Sequence, residues 1–295
     1  MDLTTDEERN MTIAVTGATG QLGRLVLDEL LTSQEPDSLV AIVRDAAKAG
    51  ELAARGVQVR VADYSDPAAL EVALRGVDKL LLVSGSEVGS RVAQHGNVID
   101  AAKAAGVGFI AYTSVLAADT TELILAPEHK ATEELIRASG LDNTILRNGW
   151  YTENYAQTVE TARQTGAVVA AAGDGRVASA TRADYAAAAA AVLSSAGHEG
   201  RTYELSGDDA WNFKELATAI TRIVGREVVY QPVSAPELVK VLTAAGLDEG
   251  TAGFLAALDT DTEAGLLATV TGELSRLIGR PTTPLLQALT SAAAS

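Results

Sequence analysis

The chain has 295 residues, 47% of them hydrophobic, with 39 acidic against 23 basic side chains and a net charge of −16. That length supports a full core, and an acidic balance without any Lys/Arg cluster argues against a nucleic-acid partner, because duplex binding needs cations that displace counterions. The sequence contains no cysteine and only three histidines, His95, His129 and His198, which excludes disulfides and thiolate chemistry and leaves no metal site to expect.

The opening "MDLTTDEERN" is acidic, lacks an apolar stretch and reads as a flexible extension over residues 1–10. No charge-free run reaches membrane-spanning length, so the expectation is a cytoplasmic protein without a membrane partner. From Met11 onward, apolar runs alternate with helical stretches. The strand candidates are "TIAV" (12–15), "LVAIVR" (39–44), "VQVRVA" (57–62), "VDKLLLVS" (77–84), "VGFIAYTS" (107–114) and "DNTILR" (142–147). Between them, 20–33, 45–55, 66–75, 90–105 and 127–139 carry helix-spaced apolar residues, most closing on glycine at Gly56, Gly76, Gly106 and Gly140. Continuous apolar strands alternating with helices predict a doubly wound, mainly parallel α/β sheet of the Rossmann type.

After Arg147 the rhythm breaks. A helix is predicted over 150–165, then "VVAAAGDGRVASATR" reads as a hairpin turning at Gly173, Asp174 and Gly175. An alanine-rich helix over 183–195 follows, then "RTYELSG" and "EVVYQPV" as strands around a helix at 212–224. From Ser234 the chain is mostly helical. The expected division is a dinucleotide-binding domain over 11–149 and a smaller α+β substrate lobe over 150–295. No linker separates them.

The stretch "TGATGQLG", Thr16 to Gly23, sits where the first strand meets the first helix. There Gly17 permits the tight turn, Gly20 lets the backbone approach a pyrophosphate, and Gly23 lets the helix pack closely. Amides at the helix start and its dipole face the anion. The second strand ends at Arg44, where the adenosine ribose of a bound dinucleotide is expected. An arginine there pairs with a 2′-phosphate, where a carboxylate would accept from a ribose diol, so NADP(H) is the expected cofactor. Asp45 reads equally as a carboxylate at the ribose or as the cap of the next helix, Asp66 ahead of Pro67 reads as a helix cap, and Asp63 as a contact to the adenine edge. Ser84, Gly85 and Ser86 fall at the carboxyl edge of the sheet, on the cofactor path or in a plain loop.

Ordinary short-chain dehydrogenases protonate a carbonyl with a tyrosine whose pKa is lowered by a lysine four residues later. None of the seven tyrosines has lysine at that spacing: Tyr151 is followed by Tyr155 and Tyr112 by Leu116. Alcohol–ketone chemistry is therefore disfavoured. What remains is an acceptor electrophilic enough to need little acid help, or no catalysis.

The segments "MTIAVTGATGQLG", "AIVRD", "KLLLVSGSEVG", "FIAYTS", "EHKATE" and "LRNGWYTENY" together resemble the NmrA-like atypical short-chain dehydrogenases, among them quinone and triphenylmethane dye reductases. The resemblance continues through "AAGDGRVASATRADYAAAAA", "GHEGRTYELSGD" and "LIGRPTTPL", so it covers nearly everything after residue 10. It implies that Gly17, Ala18, Thr19, Gly20, Gln21, Leu22 and Gly23, with Arg44, bind NADPH. It implies further that Ser84 to Ser86, Gln94, His95 and Asn97 line the cofactor. The segment from Asn148 through Gly149, Trp150 and Tyr151 to Asn154 would enclose the nicotinamide and the substrate pocket. Where many relatives carry a lysine, four residues before Glu133, this chain has His129; Lys130 is one place off and takes no such role.

The expected activity is NADPH-dependent transfer of a hydride to a quinone, with the proton arriving from solvent or from Tyr151 or Asn148. His129 is either a supporting hydrogen-bonder or an exposed helix residue, and Trp150 and Tyr151 either pocket wall or donor. Tyr185 reads as core helix and Asp184 as a cap that pins it. A non-catalytic regulator that senses the cofactor's redox state, a dye reductase, and a homo-oligomeric state all stay open.

Overall fold

The computed structural model describes residues 11–87 and 89–293; the extension expected over 1–10 lies outside them. The chain begins β1 (Ile13–Val15), α1 (Gln21–Leu30), β2 (Leu39–Val43), a 3₁₀ turn (Ala46–Ala49), α2 (Gly50–Ala54), β3 (Gln58–Val61) and α3 (Pro67–Ala73). It continues β4 (Lys79–Leu82), α4 (Arg91–Ala105), β5 (Phe109–Val115), α5 (Ala126–Ser139) and β6 (Asp142–Asn148). All six strands expected up to Arg147 are present.

Seven strands form the main sheet, in the order β3-β2-β1-β4-β5-β6 and then β9 (Arg201–Leu205). The pairs of β1 with β2 and β4, β2 with β3, and β4 with β5 are parallel; Ile13 stands opposite both Leu39 and Lys79. Every residue of β1, β2 and β5 is buried, as strands covered on both faces require. The order reverses direction between β1 and β4, and a doubly wound sheet opens its ligand crevice at the carboxyl ends there.

Two expectations need correcting. "RTYELSG" was expected outside the main sheet, yet β9 is its seventh strand. Backbone bonds from Gly200 N–H to Asn143 O (2.7 Å) and from Gly149 N–H to Leu205 O (2.7 Å) lay it along β6. The second correction concerns the hairpin at Gly173 to Gly175. The chain turns there, but β7 (Ala167–Ala170) pairs in parallel with β11 (Val229–Pro232), and β8 (Arg176–Val177) pairs antiparallel with β10 (Trp211–Asn212). A Cβ at Gly175 would strike the backbone of Thr262, and one at Gly173 the side chain of Glu263. The glycines thus serve a close crossing beneath a helix rather than a two-stranded turn.

The remaining elements are a 3₁₀ turn (Thr152–Tyr155), α6 (Ala156–Thr165), α7 (Arg182–Ser194), α8 (Phe213–Val224), α9 (Ala235–Ala244), α10 (Glu249–Glu263), α11 (Glu273–Ile278) and α12 (Leu285–Ala292). Two compact units emerge. Of the described residues, one comprises those up to Thr113 with 131–146 and 189–202; the other comprises 114–130, 147–188 and 203–293. The core of the first gathers Val40, Ile42, Leu80, Leu82, Val98, Ile110, Tyr112 and Ile145. That of the second is aromatic, with Trp211 and Phe213 buried among Val159, Val168, Leu216 and Ile220. Among the described residues no helix is long and apolar enough to cross a membrane.

Candidate functional site

In the first unit the β1–α1 turn is shaped by its glycines. Gly17 takes φ +57°, which a side chain resists, and a Cβ at Gly23 would run into the Gly17 carbonyl. Gly20 is the N-cap of α1. It is exposed, and a Cβ there would meet only the Gly17 oxygen, at 3.0 Å. Ala18 and Leu22 bury their side chains, and the Ala18 and Gly20 N–H groups already donate to Ile42 O (3.3 Å) and Gly17 O (2.8 Å). No side chain caps α1 and its first turn holds no acid. By contrast, Asp66 caps α3 by accepting from Ala69 N–H (3.0 Å), and Asp45 accepts from Ala47 N–H (2.9 Å). A helix start left uncapped among glycines, with only Thr19 and Gln21 exposing side chains beside it, fits an anion such as a pyrophosphate.

The carboxyl ends of β1 and β4 are knitted by polar side chains. Val83 N–H donates to Thr16 Oγ1 (3.0 Å), and the Tyr64 hydroxyl donates to Val83 O (2.9 Å) within reach of Thr16. Burial pushes the Tyr64 phenol well above its usual range. Asn97 Nδ2 donates to Tyr64 O (2.9 Å). Asp63 does not reach outward: its carboxylate takes the N–H and hydroxyl of Ser65, which lower its pKa, with a smaller contribution from Arg44.

The loop from Ser84 to Glu87 is held by α4. Gly85 N–H donates to His95 Nε2 (3.0 Å), and Arg91 Nε donates to Gly85 O (2.8 Å). His95 is fully buried, and its Nδ1 faces Thr132 Oγ1 at 3.0 Å. Burial, then the charge of Arg91, pushes its pKa down to about 3. His95 is thus neutral at physiological pH, with Nε2 the acceptor and Nδ1–H the donor. Outside the clamp, Glu87 accepts from Gln94 Nε2 (2.8 Å) and from Arg44 Nη1 (3.2 Å).

In the second unit, Asn148 ends β6 and Gly149 packs under Tyr185. A Cβ at Gly149 would stand 3.1 Å from the Tyr185 hydroxyl. Asn148 Nδ2 donates weakly to the Tyr151 hydroxyl (3.3 Å). Asn148 Oδ1 and Trp150 Nε1 are buried with no hydrogen-bond partner among the described residues. The Arg182 guanidinium stacks 4.5 Å over the Tyr151 ring and donates to Asn154 Oδ1 (2.9 Å), and it pairs with Glu153 (3.5 Å). Burial raises the Tyr151 pKa, against the lowering influence of Asn148 and Arg182. His129 is buried on α5 rather than exposed, and Lys130 is exposed. Tyr185 is a core residue of α7. Asp184 pins that helix by accepting from Thr181 Oγ1 (2.7 Å), Thr283 N–H (2.9 Å) and Arg280 Nη1 (2.6 Å).

The structure thus gathers Gly17, Gly85, Gln94, His95 and Asn97 about the β1 and β4 ends. It joins Asn148 to Tyr151 and Asn154 to Arg182. The sequence reading missed Thr16, Tyr64, Glu87, Arg91, Thr132 and Arg182. Tyr64 stands inside the segment "ADYSD", whose aspartates alone drew notice. Arg182 lies 31 residues beyond the tyrosine it covers, so no local spacing announces it.

The NmrA-like family model matches residues 9–277, and the chain belongs to that family. It is 54% identical to quinone oxidoreductase 2 of Escherichia coli K12, over 94% of this chain and 97% of that protein. The structure of an E. coli NADPH-dependent quinone oxidoreductase complexed with NADPH superposes with a TM-score of 0.92 at 53% identity, covering 95% and 99% of the two chains. That of Citrobacter sp. triphenylmethane reductase with NADP(H) gives 0.92 at 42% identity, covering 95% and 100%.

Proposed function

We propose that the protein is an NADPH-dependent reductase of quinones. The observation that carries the cofactor assignment is the uncapped start of α1 in its glycine cradle; the quinone assignment rests on the likeness to the E. coli enzyme. First-turn amides of α1 would hold the pyrophosphate, with Arg44 on the 2′-phosphate and the clamped loop at Gly85 beside the chain of the dinucleotide. When bound, the reduced nicotinamide supplies a hydride.

The chain's own residues then bind, orient and exclude water. Asn148 Oδ1, buried and without a partner among the described residues, is an acceptor suited to an amide N–H such as the carboxamide's. Gly149 and Trp150 would wall the acceptor. The Tyr151 phenol, protonated at neutral pH even at its ordinary value, is raised further by burial, so it is a donor and not a base. His129 takes a supporting part. The quinone gains one hydride and one proton and leaves as the hydroquinone, whose aromaticity lightens the need for a tuned acid. We also assign the protein to the cytoplasm.

The test is steady-state oxidation of NADPH with a panel of benzoquinones and naphthoquinones. Turnover with quinones exceeding that with triphenylmethane dyes is expected. Tight NADPH binding with no turnover on either class would instead make the protein a non-catalytic cofactor binder.

A further inference from the structure

Arg44 and Gln94 share one neighbour. Glu87 presents one carboxylate oxygen to Arg44 Nη1 at 3.2 Å and the other to Gln94 Nε2 at 2.8 Å. The Gln94 bond fixes the carboxylate, so it is not a freely swinging surface charge. A few residues upstream, the peptide of Gly85 is held at both ends by His95 and Arg91, which anchors the loop that carries Glu87. Arg44 also feels the charge of Asp63. The cation at the tip of β2 is therefore in direct contact with one carboxylate, Glu87, and acts on that of Asp63 only through its field.

We propose that Glu87 is an intramolecular stand-in for the 2′-phosphate of NADPH, a specificity-setting residue that competes for Arg44. This rests on the reading of the first unit as an NADP(H) site. A 2′-phosphate and the Glu87 carboxylate are both anions that seek the same guanidinium, so binding NADPH either opens the Arg44–Glu87 pair or crowds two anions onto one cation, and both cost affinity. NADH carries no such phosphate and leaves the pair intact. Glu87 consequently lowers affinity for NADPH while leaving that for NADH alone, and it narrows the preference between the two. The pair is exposed, with side-chain exposures of 72% for Arg44 and 52% for Glu87. The effect is therefore about three- to fivefold, the span that an exposed ion pair's strength allows.

Dissociation constants for NADPH and NADH, measured by nicotinamide fluorescence on the full chain, test it. Glu87→Gln keeps the bond to Gln94 and removes the charge, so folding is spared. It should tighten NADPH about three- to fivefold and leave NADH within about twofold. In an Arg44→Gln background the same change should give no gain. Three results would overturn the proposal in a parent protein that binds NADPH. These are an unchanged NADPH constant in Glu87→Gln, an equal gain with Arg44 absent, and a loss confined to NADH, which would make Glu87 a ribose-diol acceptor instead. A parent that binds neither nucleotide would sink the cofactor reading itself, and the proposal with it.

Discussion

The β1–α1 turn and the Asn148–Asn154 segment are made of different material. The first is mostly backbone: Gly17, Gly20 and Gly23 carry no side chain, Ala18 and Leu22 bury theirs, and Thr19 and Gln21 are exposed. The second is side chain: Asn148 touches Tyr151, Tyr151 lies beneath Arg182, and Arg182 holds Asn154 and Glu153. A backbone turn resists added atoms at its closest crossings, whereas a side-chain cluster depends on several partners, each of which can be weakened singly. Damage should accordingly be abrupt in the first and graded in the second.

The sharpest break is expected at the glycines. Gly23→Val drives a side chain into the Gly17 carbonyl, an overpacking at the sheet edge that should cost about 3 kcal/mol and lower the melting temperature on its own. Gly20→Val is the informative partner. Its site is open apart from one oxygen at 3.0 Å, so the melting temperature without cofactor should drop by only a few degrees, about 1 kcal/mol or less. NADPH affinity should nevertheless fall by about 100-fold or more, because the branched side chain occupies the space of the pyrophosphate. Thermal shifts with and without NADPH measure both effects. A Gly20→Val protein stabilised by NADPH as strongly as the parent would mean that the glycines only make a turn.

The two units should also part company with pH. In the first, His95 is driven from its ordinary 6.5 down to about 3. The unfolded chain then takes up a proton below about pH 6.5 that the native state refuses, so stability is lost as pH falls from there toward 3. In the second, Asp259 on α10 accepts from Ala171 N–H (2.7 Å), but burial raises it to about 6. Its native state holds a proton that the unfolded chain releases near pH 4, so its contribution is present below that and is lost as pH rises through 6. From pH 7 to pH 5, the His95 contribution should therefore fall by about 2 kcal/mol and the Asp259 contribution rise by about 1 kcal/mol. Hydrogen exchange, corrected for intrinsic rate, should show α4 losing protection while α10 gains it. His95→Gln should abolish the first change only. A uniform response of both helices would sink the assignment.

That contrast also explains what the sequence made legible. Strand and helix positions up to Arg147 follow from continuous apolar runs, and the glycine turn from a spacing of three, because local sterics decide both. Asp45 and Asp66 were readable as caps for the same reason. Beyond Arg147 the decisive contacts are distant. The chain from β7 to β8 turns where Thr262 and Glu263 crowd Gly175 and Gly173, and β9 joins the main sheet through bonds to Asn143 and Gly149. The clamp on Gly85 needs Thr132 behind His95, 37 residues away. No periodicity in a short window carries such pairings.

The smallest effect is expected at Tyr151, where the side-chain region is most expendable. Its hydroxyl receives only a 3.3 Å donation from Asn148, and its ring is held independently by Arg182 and by the edge of Tyr185 at 5.3 Å. Tyr151→Phe therefore keeps the packing and removes one proton donor. Positioned acids ordinarily contribute factors of about 100 or more, but a quinone that has taken a hydride is basic enough to draw its proton from water. We expect kcat to fall about three- to tenfold, at about 1.4 kcal/mol per decade, with KM for NADPH unchanged. In the parent, kcat should stay level between about pH 6 and pH 9, since the raised phenol keeps its proton throughout. In Tyr151→Phe, kcat should decline with rising pH and recover on adding a small buffer acid. A loss beyond about 100-fold without buffer rescue would make the phenol indispensable, and an unaltered kcat at every pH would leave Tyr151 as pocket wall alone.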